Sequence, residues 1–197
     1  MQERSEERLV DDVATLKALA DPVRLAILDA LVRHDPQPLT AKELAVELDE
    51  PQTKLYRHLK QLEKAELIGV AGTRLVSGIV ESRYQVRQKE LRLASAIFAA
   101  GSPERPEALG AMLAALDSFR HTFERDFLAD RIDFASPPSG APGVFAHSVF
   151  RVSPERAARL RARLREVLAE AAQAEEGEES GETVDVKLFT LMYTERS

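Results

Sequence analysis

The stretch Thr40–Ile68, TAKELAVELDEPQTKLYRHLKQLEKAELI, decides the fold of this chain. Thr40 and Glu43 form the T-x-x-E pattern of a capping box, which predicts the start of a short helix. A turn through Asp49 follows, and a second helix is predicted over Gln52–Ala65, with Asp49 and its first residue as a reciprocal cap. The stretch therefore predicts a helix, a tight turn and a second helix.

The second of these helices is amphipathic when it is plotted at about 100° per residue. Leu55, Leu59 and Leu62 fall on one side. The opposite side and its flanks carry polar and basic residues: Thr53, Arg57, Lys60 and Lys64, flanked by Lys54, Tyr56 and Gln61. The helix has four Lys or Arg against one Glu, so it is a basic rod with one apolar face.

The elements on either side complete a recognisable unit. Helical spacing before Thr40 predicts two further helices, with Asp21 as an N-cap and Pro22 at the first helical position of the second one. After Leu67 the apolar period changes to two, which predicts a β-hairpin ending near Arg87. Its connection, Thr73–Gly78, is predicted to be longer than a two-residue turn. A helix-turn-helix followed by such a hairpin is typical of a winged helix-turn-helix.

A surface helix with four basic residues is in itself unremarkable, but its position in this unit favours DNA binding. A major groove admits one helix, and Arg, Lys, Gln and Thr read base edges there, while a hairpin wing reaches phosphates or the minor groove. The candidate DNA-binding residues are Thr40, Gln52, Thr53, Lys54, Tyr56, Arg57, His58, Lys60, Lys64, Arg74, Ser77 and Arg83.

Two segments resemble the ArsR-like repressors. Leu16–Leu31 (LKALADPVRLAILDAL) resembles the family's opening pattern, and the R-H-L-x-x-L-x-x-A-x-L-I ending of the Thr40–Ile68 stretch resembles its recognition unit. The resemblance covers about residues 10 to 88 and implies base or phosphate contacts from Gln52, Thr53, Tyr56 and Arg57. His58 lies toward the core boundary, where it either packs or contacts a phosphate. Glu66 stands where the family commonly has Gly.

Composition excludes several other classes of protein. The 197 residues include no Cys, which excludes disulfides, thiolate metal sites and cysteine nucleophiles. The net charge of -6 is concentrated in Glu175–Glu182 (EEGEESGE), so the rest of the chain is close to neutral. No apolar run could span a bilayer, and Met1–Val10 lacks the pattern of a secretory signal, so we expect a cytoplasmic protein without a membrane partner. Catalytic motifs are absent and the four His are scattered, so we expect neither an enzyme nor a cofactor.

The long helix predicted over Glu107–Ile132 contains one candidate metal site. Asp117, His121 and Glu124 share one helical face, as oxygen and nitrogen ligands would. An exposed helix with alternating charges has the same pattern. We favour the second interpretation and predict no metal.

The region after the hairpin is predicted to be a small α+β layer. Leu91–Ala100 has a helical pattern, Val144–Val152 and Val184–Tyr193 read as strands, and Glu155–Ala172 reads as a helix with Ser153 as its N-cap. Phe145, Phe150, Phe189, Met192 and Tyr193 either line a pocket for a small apolar effector or belong to the core.

One recognition helix covers only a few base pairs, so specific binding requires two half-sites and a homodimer. Two apolar surfaces could form the dimer or the core, namely an N-terminal helix with Leu9, Val13 and Leu16, and the long helix with Leu109, Met112, Leu113, Leu116, Phe119 and Phe123.

The expected fold is mainly α with small β, with a winged helix-turn-helix over residues 1–88 and a C-terminal α+β dimerisation or effector-sensing region over 89–197. The expected function is a dimeric repressor that binds double-stranded DNA at a pseudo-palindromic operator, with helix 52–65 and wing 72–79 as its reading elements and a small-molecule effector as a further possible partner. The alternative is a winged-helix module that binds another protein in a multi-subunit assembly.

Overall fold

The structure is a computed structural model and describes residues 5–76, 78–132, 148–174 and 187–193. The chain divides into two compact units, Met1–Arg125 and Asp126–Ser197. The mainly α class with a small β component is confirmed. The functional division at residue 88 stays a prediction.

The first unit begins with a strand and continues with four helices and a hairpin. Its elements in chain order are β1 (Ser5–Val10), α1 (Val13–Leu19), α2 (Pro22–Arg33), β2 (Leu39–Thr40), α3 (Ala41–Leu48), α4 (Gln52–Lys64), β3 (Ile68–Val76), β4 (Ile79–Val86), β5 (Gln88–Leu93), a short 3₁₀ helix (Ser95–Phe98) and α5 (Arg105–Leu128), which continues into the second unit. The four predicted N-terminal helices and the hairpin are therefore confirmed.

Local capping explains where these helices start. The Asp21 carboxylate accepts hydrogen bonds from the backbone N–H groups of Val23 and Arg24, at 3.0 and 3.1 Å. The predicted capping box is present in α3, where Glu43 N donates to Thr40 Oγ1 at 3.1 Å and Thr40 N donates to Glu43 Oε2 at 2.7 Å. These side chains satisfy N–H groups that have no partner within the helix.

The predicted cap of α4 is wrong. Asp49 ends α3 in the left-handed conformation, with φ 53°, and its backbone N–H donates to Ala45 O. The residue before α4 is Pro51, which makes no side-chain capping bond. Asp49 serves the turn instead, because a short polar side chain is one of the few that tolerate this conformation.

The hairpin is longer and its turn is tighter than predicted. Strands β3 and β4 pair antiparallel from Ile68↔Val86 to Val76↔Ile79, so only Ser77 and Gly78 connect them. Gly78 has φ 81°, a conformation that glycine adopts without a steric penalty. Strand β2 pairs with β4, and the sheet order is β2-β4-β3. The hairpin is thereby paired with Leu39 and Thr40, the two residues immediately before α3.

A second sheet was not predicted. Strands β1 and β5 pair in parallel, from Ser5↔Gln88 to Val10↔Leu93. The helix predicted over Leu91–Ala100 is wrong, because its first residues lie in β5 and only Ser95–Phe98 form a 3₁₀ helix. Leu9 also lies in β1 rather than in a helix, and Leu16 of α1 is buried in the core.

The second unit contains the end of α5 and helix α6 (Pro154–Ala174). The predicted start of α6 is confirmed, since Arg156 N donates to Ser153 Oγ at 3.3 Å. The two predicted C-terminal strands are wrong for the parts that the structure describes, 148–152 and 187–193, which belong to no sheet. Their other residues lie outside the described ranges. No helix in those ranges is both long and apolar enough to cross a membrane.

The core of the first unit is built around α2 and α4. Leu55, Leu59 and Leu62 of α4 are at most 1% exposed, and Ile27 and Leu31 of α2 are equally buried. His58 is the one polar residue on the buried side of α4, and it is 2% exposed. The apolar side of α4 predicted from the sequence is thus confirmed as core, and it supplies the apolar packing that attaches α4 to the unit.

Two residues in this region are in unfavourable settings, Glu66 because of its backbone conformation and His58 because of its buried ring. Glu66 follows α4 and has φ 57°, in the left-handed region that disfavours side chains with a Cβ. Neither nitrogen of the His58 ring has a hydrogen-bond partner in the described part of the chain. Each residue leads to a stability prediction.

Replacing Glu66 with Gly should stabilise the protein by about 0.5 to 1 kcal/mol, because Gly adopts a positive φ without strain. Urea unfolding measures the change. Glu66→Ala is the matched control, since it removes the same carboxylate but keeps a Cβ, and it should give no gain. A gain of equal size in both variants would show that the charge of Glu66, and not its backbone conformation, is unfavourable.

The pKa of His58 is lowered from its ordinary value near 6.5, mainly by burial. Asp21 opposes this effect from 3.6 Å, while Arg57, Arg24 and Lys54 add to it. The unfolded chain therefore binds a proton that the folded chain resists, so stability should be full above about pH 6.5 and fall as the pH drops toward the folded pKa. His58→Gln should flatten this part of a stability-against-pH curve. An unchanged curve in the variant would contradict the assignment.

Candidate nucleic-acid interface

The side of α4 that faces away from the core is a continuous polar stripe. Thr53, Arg57, Lys60 and Lys64 are all exposed, and at about 100° per residue they fall within an arc of about 60°. Leu55, Leu59 and Leu62 lie opposite and are buried. The stripe therefore runs the length of the helix.

The cations of this stripe have no anionic partner among the described residues. Arg57, Lys60 and Lys64 form no ion pair with any residue in the described ranges. Lys54, beside the stripe, differs from them because its Nζ lies 2.7 Å from Glu50 Oε1. Three positive charges thus remain available to an external anion.

The first turn of α4 presents a polar pair next to the stripe. Gln52 Nε2 donates to Tyr56 OH at 2.8 Å, and Tyr56 is 51% exposed. This bond holds both side chains on the outside of the helix. Amide and hydroxyl groups in this position can donate to or accept from base edges.

Arg24 anchors α4 and was missed by the sequence analysis. Its guanidinium is buried and donates to Gln61 Oε1, to Ala18 O and, at 2.7 Å, to Lys17 O. It therefore joins the C-terminal end of α1 to the last turn of α4. The sequence signal for this role is an Arg on the apolar side of α2, where a charged residue requires hydrogen-bonding partners.

Arg8 makes a similar link directly after the last residue of α4. Its Nη1 donates to the carbonyl oxygens of Ala65 and Glu66, at 3.0 and 3.1 Å, and its Nη2 donates to Thr15 Oγ1 at 3.0 Å. A cation at a helix C-terminus satisfies unpaired carbonyls and complements the helix dipole. Strand β1 thereby fixes the end of the candidate recognition helix.

Two of the candidate DNA-binding side chains are buried. Thr40 is 1% exposed and its hydroxyl caps α3. Its backbone N–H, hydrogen-bonded to Glu43, is the main cause that lowers the pKa of the Glu43 carboxyl. His58 is 2% exposed and packs in the core. Neither side chain is therefore exposed at the surface in this structure.

The wing supplies one outward cation. Arg74 in β3 has a side chain that is 57% exposed, and its Nε lies 2.6 Å from Glu81 Oε2. Arg83 instead donates from Nε and Nη2 to Pro38 O, at 3.0 and 2.7 Å, and so fixes the base of the hairpin. Ser77, the remaining wing candidate, lies outside the described residues.

The metal candidate on α5 is occupied by internal ion pairs. Arg120 lies 3.8 Å from Asp117 and 3.4 Å from Glu124. Within the described ranges, no three His, Asp or Glu residues are grouped so that they could hold a metal ion.

The residues considered for an effector pocket are not gathered in the described structure. Phe150, Met192 and Tyr193 are exposed, Phe189 is half-buried, and Phe145 lies outside the described residues. A cavity of about 330 Å³ lies elsewhere, in the first unit, where residues of α2, α5 and the α3–α4 turn line it. Val23, Ala26, Leu48, Ser118 and His121 are among them.

Comparison with known proteins agrees with this geometry. Residues 19–70 match the model of a helix-turn-helix domain family. A search of the curated proteins finds no match to the chain.

Three similar solved structures are HlyU proteins. HlyU from Vibrio cholerae N16961 is 25% identical, with a TM-score of 0.30, over 51% of this chain and 88% of that one. Its reduced form is 26% identical, with a TM-score of 0.29, over 51% and 85%. The transcriptional regulator HlyU from Vibrio vulnificus CMCP6 is 28% identical, with a TM-score of 0.29, over 53% and 84%.

The matched range runs from the end of α1 to the start of β3 and contains α2, α3 and α4. Strands β3 and β4 add the hairpin that makes this unit winged. Residues 19–70 of this chain therefore lie in a helix-turn-helix domain, and the hairpin that follows makes the unit a winged helix-turn-helix, a domain type found in DNA-binding transcriptional regulators.

Proposed function

We propose that this protein is a homodimeric repressor that binds a pseudo-palindromic DNA operator. Helix α4 enters the major groove, and the wing contacts the phosphate backbone beside it. The observation that carries the proposal is the exposed stripe of α4, where Arg57, Lys60 and Lys64 have no anionic partner in the described structure. While the repressor is bound, other DNA-binding proteins cannot reach the operator. Binding therefore leads to repression.

Roles within the stripe follow from side-chain chemistry. Arg57 lies in the middle of the helix, and a guanidinium can bind the O6 and N7 atoms of guanine with two hydrogen bonds. Thr53, Gln52 and Tyr56, in the first turn, offer hydroxyl and amide groups to neighbouring bases. Lys60 carries a flexible ammonium that suits a phosphate. Arg74 of the wing is exposed and is assigned to a second phosphate, which it would bind in exchange for its ion pair with Glu81.

The dimer is assigned to α5. Leu109, Leu113 and Leu116 are 56%, 51% and 38% exposed, and Phe123 continues the same stripe seven residues later. Spacings of four and three residues form the apolar seam by which two helices pack together. Two copies of the domain joined in this way present two recognition helices to half-sites about 34 Å apart.

An effector is assigned to the cavity of the first unit. Its volume of about 330 Å³ lies within the range of small-ligand sites. Leu48 of its lining ends α3 and Glu50 belongs to the turn that leads into α4, while Ser118 and His121 belong to the helix assigned to the dimer. A ligand bound there would bias the arrangement of the two recognition helices, because it contacts both elements.

Alanine substitutions on α4 should separate base reading from phosphate binding. Arg57→Ala should reduce the preference for operator over unrelated duplex by about 1–3 kcal/mol. Lys60→Ala should weaken binding to both duplexes equally and reduce the slope of log K against log salt by about 0.9. Fluorescence anisotropy titrations over a salt series measure both effects, with an operator selected from a random duplex pool.

Arg92→Ala is the matched control for this experiment, since Arg92 is an exposed cation on β5 that pairs with Glu7 at 2.8 Å. It should leave operator preference unchanged. Absence of duplex binding by the unmodified protein at low salt would reject the proposal in favour of a protein-binding winged-helix module.

Charged substitutions on α5 should dissociate the dimer. Leu109→Asp combined with Leu113→Asp places two carboxylates in the seam, so light scattering after size exclusion should give the monomer mass, and operator affinity should fall. Val46→Asp is the control, because Val46 is 79% exposed on α3, and it should remain dimeric. A double variant with the dimer mass would place the interface elsewhere.

A further inference from the structure

Helix α6 of the second unit carries an unusual density of arginines in its first three turns. Arg156, Arg159, Arg161, Arg163 and Arg165 lie within ten residues. The acidic residues in that span and beside it are few, Glu155 at the start and Glu166 at the end. In a chain with a net charge of -6, this is a strong local concentration of positive charge.

All five arginines are exposed, and none forms an ion pair or side-chain hydrogen bond with a residue in the described ranges. At about 100° per residue, Arg156, Arg159 and Arg163 share one arc of about 60°, while Arg161 and Arg165 lie together on another side. The three arginines of the first group therefore form one arginine face. It extends over about 10 Å of helix.

The chemistry of this face suits phosphate. Guanidinium groups bind phosphate oxygens through two parallel hydrogen bonds and are less strongly hydrated than ammonium groups. Duplex DNA carries one charge per about 1.7 Å of its axis, so several phosphates lie within reach of a 10 Å face. Glu155 and Glu166 lie beside this face on the helix, but neither forms an ion pair with its arginines in the described ranges.

A membrane surface fits α6 less well. Helices that lie on membranes insert a broad apolar face, commonly with aromatic residues, and α6 contains none. Its apolar side is partly used within the second unit, where Ala157 is 7% exposed and Leu160 and Leu164 are half-buried. Val167 and Leu168, in a later turn, are the apolar residues that stay exposed.

We propose that the arginine face of α6, Arg156, Arg159 and Arg163, is a second DNA-binding surface that contacts the phosphate backbone without reading sequence. The inference rests on the proposed function, which brings the duplex to this protein. It adds electrostatic affinity for DNA outside the bases that α4 reads, and it gives the second unit a part in binding.

The test uses the full chain and a triple substitution, Arg156→Gln, Arg159→Gln and Arg163→Gln, in which Gln preserves helix propensity. With a duplex longer than the operator, the slope of log K against log salt should become shallower by about 0.9 for each lost contact, up to about 2.7. The ratio of operator to non-operator affinity should not change. Circular dichroism checks that the helix content is retained.

The matched control removes three positive charges elsewhere, by Lys17→Gln, Arg92→Gln and Arg105→Gln, all at exposed positions. It should keep the slope of the unmodified protein, because only net charge has changed. The pair Arg161→Gln and Arg165→Gln, on the other side of α6, should have a smaller effect than the triple substitution if the face is as assigned.

The outcomes distinguish this inference from the proposed function. A triple variant with an unchanged slope, while Arg57→Ala still reduces operator preference, overturns the α6 surface and leaves the repressor proposal intact. Binding without sequence preference that depends on the α6 arginines supports the surface and rejects the operator proposal. An unchanged slope together with arginine-dependent binding to vesicles of phosphatidylcholine and phosphatidylserine overturns the DNA surface in favour of a membrane.

Discussion

Helix α4 can present a polar side outward only because its other side is buried. A helix of 13 residues with a high charge is barely stable alone in water. Burial of Leu55, Leu59 and Leu62 stabilises it by about 1.5–3 kcal/mol for each side chain. The same packing orients the helix, since the stripe of Thr53, Arg57, Lys60 and Lys64 must then face away from the core. The packing that forms the core therefore also determines which side of α4 is exposed.

Polar contacts add to the apolar packing that holds α4 in place. Arg24 links Gln61 of α4 to the last carbonyls of α1, and Arg8 binds the carbonyls of Ala65 and Glu66 at the end of α4. Each of these arginines donates its hydrogen bonds to backbone carbonyls and to one side chain, Gln61 for Arg24 and Thr15 for Arg8. The arginine and lysines of the stripe have no such partners in the part of the chain that the structure describes. The distinction between structural and functional cations is therefore a matter of contacts, and residue type alone does not reveal it.

The net charge of the whole chain is a poor guide to its electrostatics. Positive charge is concentrated on the exposed sides of α4 and α6, while one short run of five Glu accounts for most of the net charge of -6. Within the first unit, several other cations are neutralised locally, as Lys54 is by Glu50 and Arg74 is by Glu81. Because screening limits the reach of charges to about 8–10 Å in ordinary salt, these local surfaces matter more than the total.

The sequence by itself determined the helix-turn-helix. Its signals are local: the Thr40–Glu43 capping box, the Asp21–Pro22 start, and the three- and four-residue spacing of leucines in α4 act through neighbouring residues, so they can be read without the fold. The candidate stripe on α4 was read in the same way, as the side opposite those leucines.

Only the tertiary structure decided the features that depend on partners distant in sequence. Strand β5 has a helical apolar pattern, yet it pairs with β1 about eighty residues earlier, because that pairing satisfies its backbone groups. Asp49 could cap α4 by its spacing, but the left-handed turn places it at the end of α3. Burial of His58 and of Thr40, and the role of Arg24, likewise follow from contacts between elements, which no local pattern contains.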